Sequence, residues 1–183
     1  MKSAEYIIEY FYAGNPDLKN ILILHSTQVK NKALQIAANS GVTLDLELAA
    51  TGAMLHDIGI IRCHAPDIFC PGDLPYIAHG TAGSEMLRQL GSGYEAVARI
   101  CERHTGSGLT AAEIIDGKLP LPPVDLLPET AEEKLICLAD KFFSKSGKME
   151  EKPLSLIRKQ MAKFGEASLK RFDELAVMFN IGC

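Results

Sequence analysis

The sequence predicts an all-α protein, a bundle of helices. Three observations predict this class. Apolar residues recur at the i, i+3, i+4 spacing of helices along most of the chain, whereas the alternation typical of strands is scarce. Residues that start and stop helices flank these stretches. The composition, 47% hydrophobic and 23% charged over 183 residues, is that of a globular domain large enough to fold without disulfides.

Five helices are expected in the first 104 residues. They are predicted over residues 3–13, over 17–39, from Thr43 or Asp45 to Ile58, over 76–90 and over 94–104. The stop signals that follow or separate them are Asn15-Pro16, Ser40-Gly41, Gly59 and Thr105–Gly108. Residues 60–78 contain three prolines and Gly72, so we expect a loop there.

The next part of the chain predicts a second loop and one capped helix. Residues 116–128 hold four prolines and are expected to form the loop. Thr130 and Glu133 have the spacing of a capping box, in which each residue satisfies a backbone amide of the other. We expect a helix to follow, with Asp140 beside its apolar face.

The end of the chain predicts a helical extension. The stretch from about Leu154 to Phe179 is amphipathic, with a break near Gly165. We therefore expect a single domain over residues 1–183, with a core over about 18–145 and a C-terminal helical extension over about 153–180.

Charge and cysteine content limit the expected partners. A net charge of −4 argues against nucleic acid as a partner, because no basic excess is present to neutralise phosphates. Glu5 and Glu9 interrupt the N-terminal stretch where a signal peptide would be apolar, and no apolar run could span a membrane. The cysteines are odd in number and lack a CxxC pair, which is typical of reduced thiols in the cytoplasm: Cys63, Cys70, Cys101, Cys137 and Cys183. We expect a cytoplasmic protein without nucleic-acid or membrane partners.

Several histidines and an aspartate lie on apolar faces of the predicted helices. His25, His79 and His104 each fall in register with such a face, and so does Asp57. A buried carboxylate is costly unless it is paired or binds a metal, and inward imidazoles and carboxylates from separate helices suit a divalent ion. A lone inward histidine is more often a hydrogen-bonded core residue, so spacing alone leaves both interpretations open.

A resemblance to a known family favours a metal site over hydrogen-bonded core histidines. Leu55–Gly59 read LHDIG, which resembles the signature of the HD-domain superfamily of metal-dependent phosphohydrolases, HDIG subset. HSTQV, which begins at His25, resembles the first family motif, and CLADKF, which contains Asp140, resembles the last. The resemblance covers roughly residues 18–145 and implies an HD-domain helical bundle with a metal site in its core. The four implied ligands are His25, His56, Asp57 and Asp140.

Two more histidines extend the resemblance. His79 in AHGTAG and His104 in ERHTG resemble the extra histidines of family members that hold a second metal. Both segments resemble those of bacterial symmetrical dinucleoside-tetraphosphate hydrolases, and small uncharacterised HDIG proteins with an ERHTGxG-like segment followed by PETxEEK look more similar still. The resemblance implies one or two divalent ions (Fe, Mn, Ni, Co, Zn or Mg). It also implies catalytic roles for Asp57, His79 and His104.

The chain departs from the family pattern at one position. Ile60 stands where many relatives have a lysine after HDIG, so a phosphate contact is missing there. Arg62, Arg103 and Lys141 are the candidates for binding the phosphate instead, although a solvated charge explains each equally well. His64, in the proline-rich loop, is either a lid or substrate-contacting residue or a surface histidine.

The function expected from the resemblance is hydrolysis of a nucleotide or another small phosphate ester through a metal-activated hydroxide. Two alternatives remain open: a mixed-valent di-iron oxygenase of the same superfamily, and a non-catalytic nucleotide-binding sensor. The expected partner is a small phosphorylated substrate. Four N-terminal aromatics cover either the core, which we favour, or the interface of a homodimer: Tyr6, Tyr10, Phe11 and Tyr12.

Overall fold

Helices dominate residues 2–182, the part of the chain that this computed structural model describes. Within it the α-helices are α1 (Ala4–Tyr12), α2 (Pro16–Ser40), α3 (Leu46–Leu55), α4 (His79–Arg88), α5 (Glu95–Arg103), α6 (Ala111–Asp116), α7 (Ala131–Asp140), α8 (Leu154–Ala162) and α9 (Glu166–Met178). Two short strands, β1 (His64–Ala65) and β2 (Cys70–Pro71), pair antiparallel. The predicted all-α class is confirmed.

The core consists of two clusters of buried apolar side chains, and α2 contributes to both. The first cluster packs α1 and the beginning of α2 against α4 and α5, and it includes Leu18 and Leu22. The second packs the rest of α2 against α3, α7, α8 and α9, and it includes Val29 and Ile36. His25 lies between these two sets among the buried residues of α2. An imidazole therefore stands where the two clusters meet.

Helix α3 ends earlier than the sequence pattern predicts. Asp45 caps its start, since the carboxylate accepts a hydrogen bond from Leu48 N at 2.9 Å. The last α-helical residue is Leu55, and a 3₁₀ segment follows over Ile58–Arg62, so the predicted end near Ile58 is wrong. His56-Asp57 consequently occupies a turn and not the body of a helix.

Two glycines explain why the chain can turn after His56-Asp57. A methyl group at Gly59 would overlap the carbonyl oxygen of His79 and the amide nitrogen of Gly83. A methyl group at Gly83 would lie 2.5 Å from Cys101 Sγ and 2.9 Å from Gly59 N. Because glycine has no side chain, the two backbones approach closely. This contact brings the His56-Asp57 turn against the first residues of α4.

Tyr12 constrains the same turn from α1. It is fully buried, and its hydroxyl donates to Ile58 O at 2.7 Å and accepts from Ile61 N at 3.2 Å. The expectation that the N-terminal aromatics cover the core is confirmed for Tyr12. It is wrong for Tyr6 and Tyr10, which are 55% and 66% exposed because they lie on the outer face of α1.

The first predicted loop contains more structure than the sequence indicated, and an unpredicted helix precedes the second. Besides β1 and β2, the first loop forms short 3₁₀ segments, and α4 begins at His79 and not near residue 76. Helix α6 was not predicted, although Thr110 and Glu113 form a capping box at its start. At only six residues, α6 is too short to show helical periodicity. The predicted break at Gly165 is confirmed, with a φ of 104° between α8 and α9.

Four cysteines fall within the described residues, all buried and without disulfides there: Cys63, Cys70, Cys101 and Cys137. The fifth, Cys183, lies outside the described residues. His64 is exposed and, within residues 2–182, belongs to no group of side chains placed to hold a metal. Among the helices of this same part, none combines the length and the apolar character needed to cross a membrane.

Candidate metal centre

Six side chains of the predicted site come together in the core, although they lie on five separate parts of the chain. Four of these parts are the ends of helices, where a side chain can point along the helix axis and not only outward. The positions are His25 within α2, His56 and Asp57 after α3, His79 at the start of α4, His104 after α5 and Asp140 at the end of α7. All six are buried.

One group of ligand atoms gathers around Asp57 Oδ2. His56 Nε2 lies 3.0 Å and His25 Nε2 lies 3.2 Å from this oxygen. Asp140 Oδ1 lies 3.0 Å from His25 Nε2 and 3.5 Å from His56 Nε2. The four ligand atoms lie within 4.8 Å of one another, close enough to share one ion. We call His25, His56, Asp57 and Asp140 the first ligand group.

A second group faces the other oxygen of the same carboxylate. His79 Nε2 lies 3.3 Å and His104 Nε2 lies 3.4 Å from Asp57 Oδ1. The two imidazole nitrogens are 3.0 Å apart. Asp57, His79 and His104 form the second ligand group, and these atoms also lie within 4.8 Å of one another. Asp57 therefore belongs to both groups and presents one oxygen to each.

Backbone carbonyls set the orientation of three of the rings. The Nδ1 atoms of His56, His79 and His104 lie 2.7, 2.7 and 2.6 Å from the carbonyl oxygens of the residues three positions earlier. A carbonyl oxygen only accepts, so Nδ1 of each ring carries the proton. In the neutral ring the Nε2 lone pair then points into the site, as it does in metal-binding histidines.

The resulting arrangement fits a cation. His79 and His104, with their protons on Nδ1, bring two Nε2 lone pairs to 3.0 Å without a hydrogen to share between them. Within residues 2–182, His56 Nε2 and Asp57 Oδ1 are buried and make no hydrogen bond, whereas Asp57 Oδ2 faces the ammonium group of Lys145. Buried polar atoms without partners are costly, and a divalent ion with imidazole and carboxylate ligands would satisfy them.

Electrostatics differ between the two groups. Burial lowers the pKa of His79 to about 3, and it also lowers the pKa of His104, so both rings are neutral near pH 7. Burial opposes protonation of His56 too, but the charges and hydrogen bonds of Asp57 and Asp140 together outweigh it and raise the pKa of His56 to about 9. Burial alone would raise the pKa of Asp140, yet the charge of Lys141, the hydrogen bonds from His25 and His56 and the charge of Lys145 together hold it well below its usual value.

Lys145 is a residue of the site that sequence analysis missed. Its Nζ lies 2.6 Å from Asp57 Oδ2 and 5.9 Å from the centre of the Tyr76 ring. Burial would lower the pKa of Lys145, but the charges of Asp57 and Asp140 raise it, so the side chain is charged. Lys145 follows α7 in a segment without helical periodicity, and its closeness to the family-like Asp140 was the only available signal.

The three predicted substrate-binding residues lie in different surroundings. Lys141 is at the centre, where its Nζ donates to Asp140 Oδ2 at 2.8 Å and to the carbonyl of His104 at 3.1 Å. Arg103 donates to Leu127 O and to Glu129, and half-exposed Arg62 lies 3.5 Å from Glu85. Neither arginine forms a hydrogen bond or ion pair with the six central residues in the described structure. Their predicted contact with substrate stays a prediction.

The chain is similar to proteins that carry an HD domain. The family model described as "HD domain" matches residues 22–144, a span that contains all six side chains. An uncharacterized protein of Methanocaldococcus jannaschii is 41% identical over 130 residues, which cover 67% of this chain and 69% of that protein. No solved structure matches the chain.

Two further relatives are named tRNA (cytidine(56)-2'-O)-methyltransferase. The protein of Picrophilus torridus is 36% identical over 125 residues, and the protein of Thermoplasma volcanium is 35% identical over 123 residues. The matched segments cover 68% and 67% of this chain but 32% of each relative. About two thirds of each methyltransferase-named protein therefore has no counterpart in this chain.

Proposed function

The chain belongs to the HD-domain family, and we propose that it is a metal-dependent phosphohydrolase acting on a nucleotide or another small phosphate ester. One observation carries the proposal. The carboxylate of Asp57 presents one oxygen to His25 and His56 and the other oxygen to His79 and His104. With this arrangement Asp57 would be a ligand in both groups if each held one divalent ion.

Each ligand group would hold one ion. The first ligand group would hold one and the second ligand group the other, with Asp57 as a ligand common to both. Imidazole and carboxylate ligands suit Fe, Mn, Ni, Co, Zn or Mg. Bound there, such ions would lower the pKa of water toward neutrality and polarise the oxygens of a phosphoryl group.

Two lysines would assist the ions in different ways, Lys145 by its positive charge and Lys141 by positioning a ligand. Transfer of a phosphoryl group depends mainly on positioning and on charge stabilisation. Lys145, with its ammonium group at Asp57, is placed to contact a phosphoryl oxygen of a substrate bound at the centre. Lys141 orients Asp140 through their hydrogen bond. The glutamate partners of Arg62 and Arg103 support structural roles for these arginines.

A small substrate is favoured over nucleic acid. The net charge of −4 provides no basic surface for a run of phosphates. The methyltransferase name belongs to proteins of which the matched segment is 32%, so it supports no methyl transfer by this chain.

Phosphate release by protein purified without oxygen tests the proposal. We expect metal-dependent release from at least one member of a panel of nucleotides and phosphate esters. Asp57→Asn should reduce it by more than roughly a thousandfold, the upper end of the loss for one electrostatic group in an active site, because Asp57 belongs to both ligand groups. The matched control is Asp17→Asn, which removes an exposed carboxylate from the first turn of α2 and should leave the rate unchanged.

Two results would contradict the proposal. Oxygen uptake by the iron-loaded protein without phosphate release would indicate the di-iron oxygenase instead. Tight nucleotide binding without turnover with any of the six metals would indicate a sensor. Either result would leave the metal centre in place and remove the hydrolase.

A further inference from the structure

We propose that α6 and the hairpin formed by α8 and α9 build a subsite for the base of a mononucleotide, with Phe164 stacking on the ring and Asp116 binding its edge. The inference rests on the proposed function, because it places the phosphate of the same nucleotide at the metal centre. It assigns substrate selection to side chains that lie outside the six-residue centre.

A cavity of about 650 Å³ opens directly beside the second ligand group. His79 and Tyr76 line one side of it, and Thr105-Gly106, which follows His104, lines another. The volume lies within the range of about 300–1,000 Å³ that is usual for small-ligand sites. A phosphate ester bound at the metal centre would therefore extend its organic part into this cavity.

The lining of the cavity favours a flat ring over a sugar. Ile77, Leu109, Leu119 and Phe164 provide an apolar surface, whereas a sugar would need several hydrogen-bonding groups. Phe164 is 71% exposed, so its ring face is open to a ligand. A base stacks well on an exposed aromatic side chain.

The polar groups of the cavity are mostly engaged already. The carboxylate of Glu113 accepts hydrogen bonds from Arg171 and Thr110, and Ser168 is bonded to Ser107. Asp116 lines the same cavity and, within residues 2–182, forms no side-chain hydrogen bond or ion pair. Its carboxylate can accept from a ring N–H or an exocyclic amino group of a base.

Hydrogen bonds attach the α8–α9 hairpin to the segment that follows His104. Ser107 Oγ donates to Ser168 O at 2.8 Å, and Arg171 Nη2 donates to Gly108 O at 3.1 Å. The hairpin lies beyond residue 144, where the family match ends. The six central side chains thus lie within the family segment, and Phe164 lies in a part of the chain beyond it that is fixed against it.

Fluorescence can report the stacking directly, because the chain has no tryptophan. The variant Phe164→Trp places a single fluorophore at the rim of the cavity. The matched control is a separate variant, Leu156→Trp, which places the fluorophore at an exposed position of the same hairpin outside the cavity. Titration with AMP, GMP, CMP or UMP should quench the emission of Phe164→Trp saturably and leave that of Leu156→Trp unchanged. Glycerol 3-phosphate, which has no ring, should quench neither.

Kinetics provide a second readout for side-chain loss. Phe164→Ala should raise KM for the best mononucleotide about tenfold, as expected for one lost stacking contact, with little change in kcat. Asp116→Asn should raise KM for that nucleotide and leave its kcat intact. Leu156→Ala, an exposed side chain that does not line the cavity, should change neither constant.

The outcomes separate this inference from the proposed hydrolase. Absence of quenching by all four nucleotides, or equal quenching in both tryptophan variants, would overturn the base subsite even if phosphate esters are hydrolysed. Saturable quenching confined to Phe164→Trp supports the subsite even if no phosphate is released, because the binding measurement requires no turnover.

Discussion

The two ligand groups share Asp57 but differ in charge and surroundings. The first ligand group contains a second carboxylate, Asp140, and two lysines lie beside it, with Lys141 on Asp140 and Lys145 on Asp57. The second ligand group contributes only neutral imidazoles besides Asp57, and it borders the cavity through His79. One half of the centre is therefore organised by charge, whereas the other half is organised by close packing and borders the cavity.

Gly59→Ala should produce the largest effect, and mainly on the second ligand group. The added methyl group would overlap His79 O and Gly83 N, which are backbone atoms that cannot rotate away. We expect a loss of about 3 kcal/mol in the free energy of unfolding, the upper end for overpacking, measured by denaturant titration. Because His79 would be displaced, the second ligand group should no longer bind a metal ion. The first ligand group should still bind one.

Gly14→Ala is the control for this variant, because a methyl group there meets no atom within 4 Å. It should unfold at nearly the same denaturant concentration as the unmodified protein. If Gly59→Ala were equally harmless, the close contact between the His56-Asp57 turn and α4 would not be what positions His79.

The pH dependence of metal binding should separate the two groups. His56 is protonated below its pKa of about 9 in the metal-free protein, and an ion must displace that proton. Affinity for Mn²⁺ at the first ligand group should therefore rise about tenfold per pH unit from pH 7 toward pH 9, measured by calorimetry. His79 has a pKa of about 3, so no proton competes at this ring and affinity at the second ligand group should be far less sensitive to pH.

The same pKa values predict the stability of the metal-free protein. The folded-state pKa of His56 is raised above the ordinary 6.5, so its contribution is complete below pH 6.5 and is lost as the pH rises through about 9. The folded-state pKa of His79 is lowered to about 3, so its contribution is present above pH 6.5 and is lost as the pH falls toward 3. A flat profile of unfolding free energy between pH 4 and pH 9 would contradict both assignments.

Tyr12→Phe should have a smaller effect that is common to both groups. Removal of the hydroxyl leaves Ile58 O and Ile61 N without their partner in the turn that follows Asp57. We expect a loss of about 1–3 kcal/mol, the cost of an unsatisfied buried polar group, in thermal or denaturant unfolding. Tyr10→Phe, which changes an exposed ring of the same helix, should cost almost nothing. Equal losses in the two variants would remove the role assigned to Tyr12.

The identities of the six central residues could be predicted from the sequence. His25, His79, His104 and Asp57 are in register with apolar helical faces, and the family resemblance of the LHDIG and CLADKF segments adds His56 and Asp140. Local periodicity indicates which side chains the helices turn inward, but it left open whether they bind a metal, and only the family resemblance favoured the metal site. How the ligands divide between the oxygens of Asp57 could not be predicted, since it depends on how α4 and α5 pack against the turn.

Other features depend on contacts that no local pattern encodes. Lys145 reaches Asp57 from a segment without periodicity, 88 positions further along the chain. The end of α3 at Leu55 is set by the approach of Gly59 to α4, which is a tertiary contact. Helix α6 was missed for a different reason, since Thr110 and Glu113 give a capping-box signal but only six residues follow.

The number of ions per chain tests the sharing of Asp57 most directly. Mass spectrometry of metal content after anaerobic loading with Mn²⁺ and gel filtration would compare the unmodified protein with His104→Gln and Asp57→Asn. We expect two ions in the unmodified protein, one in His104→Gln, where the first ligand group stays complete, and none retained in Asp57→Asn. The same metal content in all three proteins would contradict it.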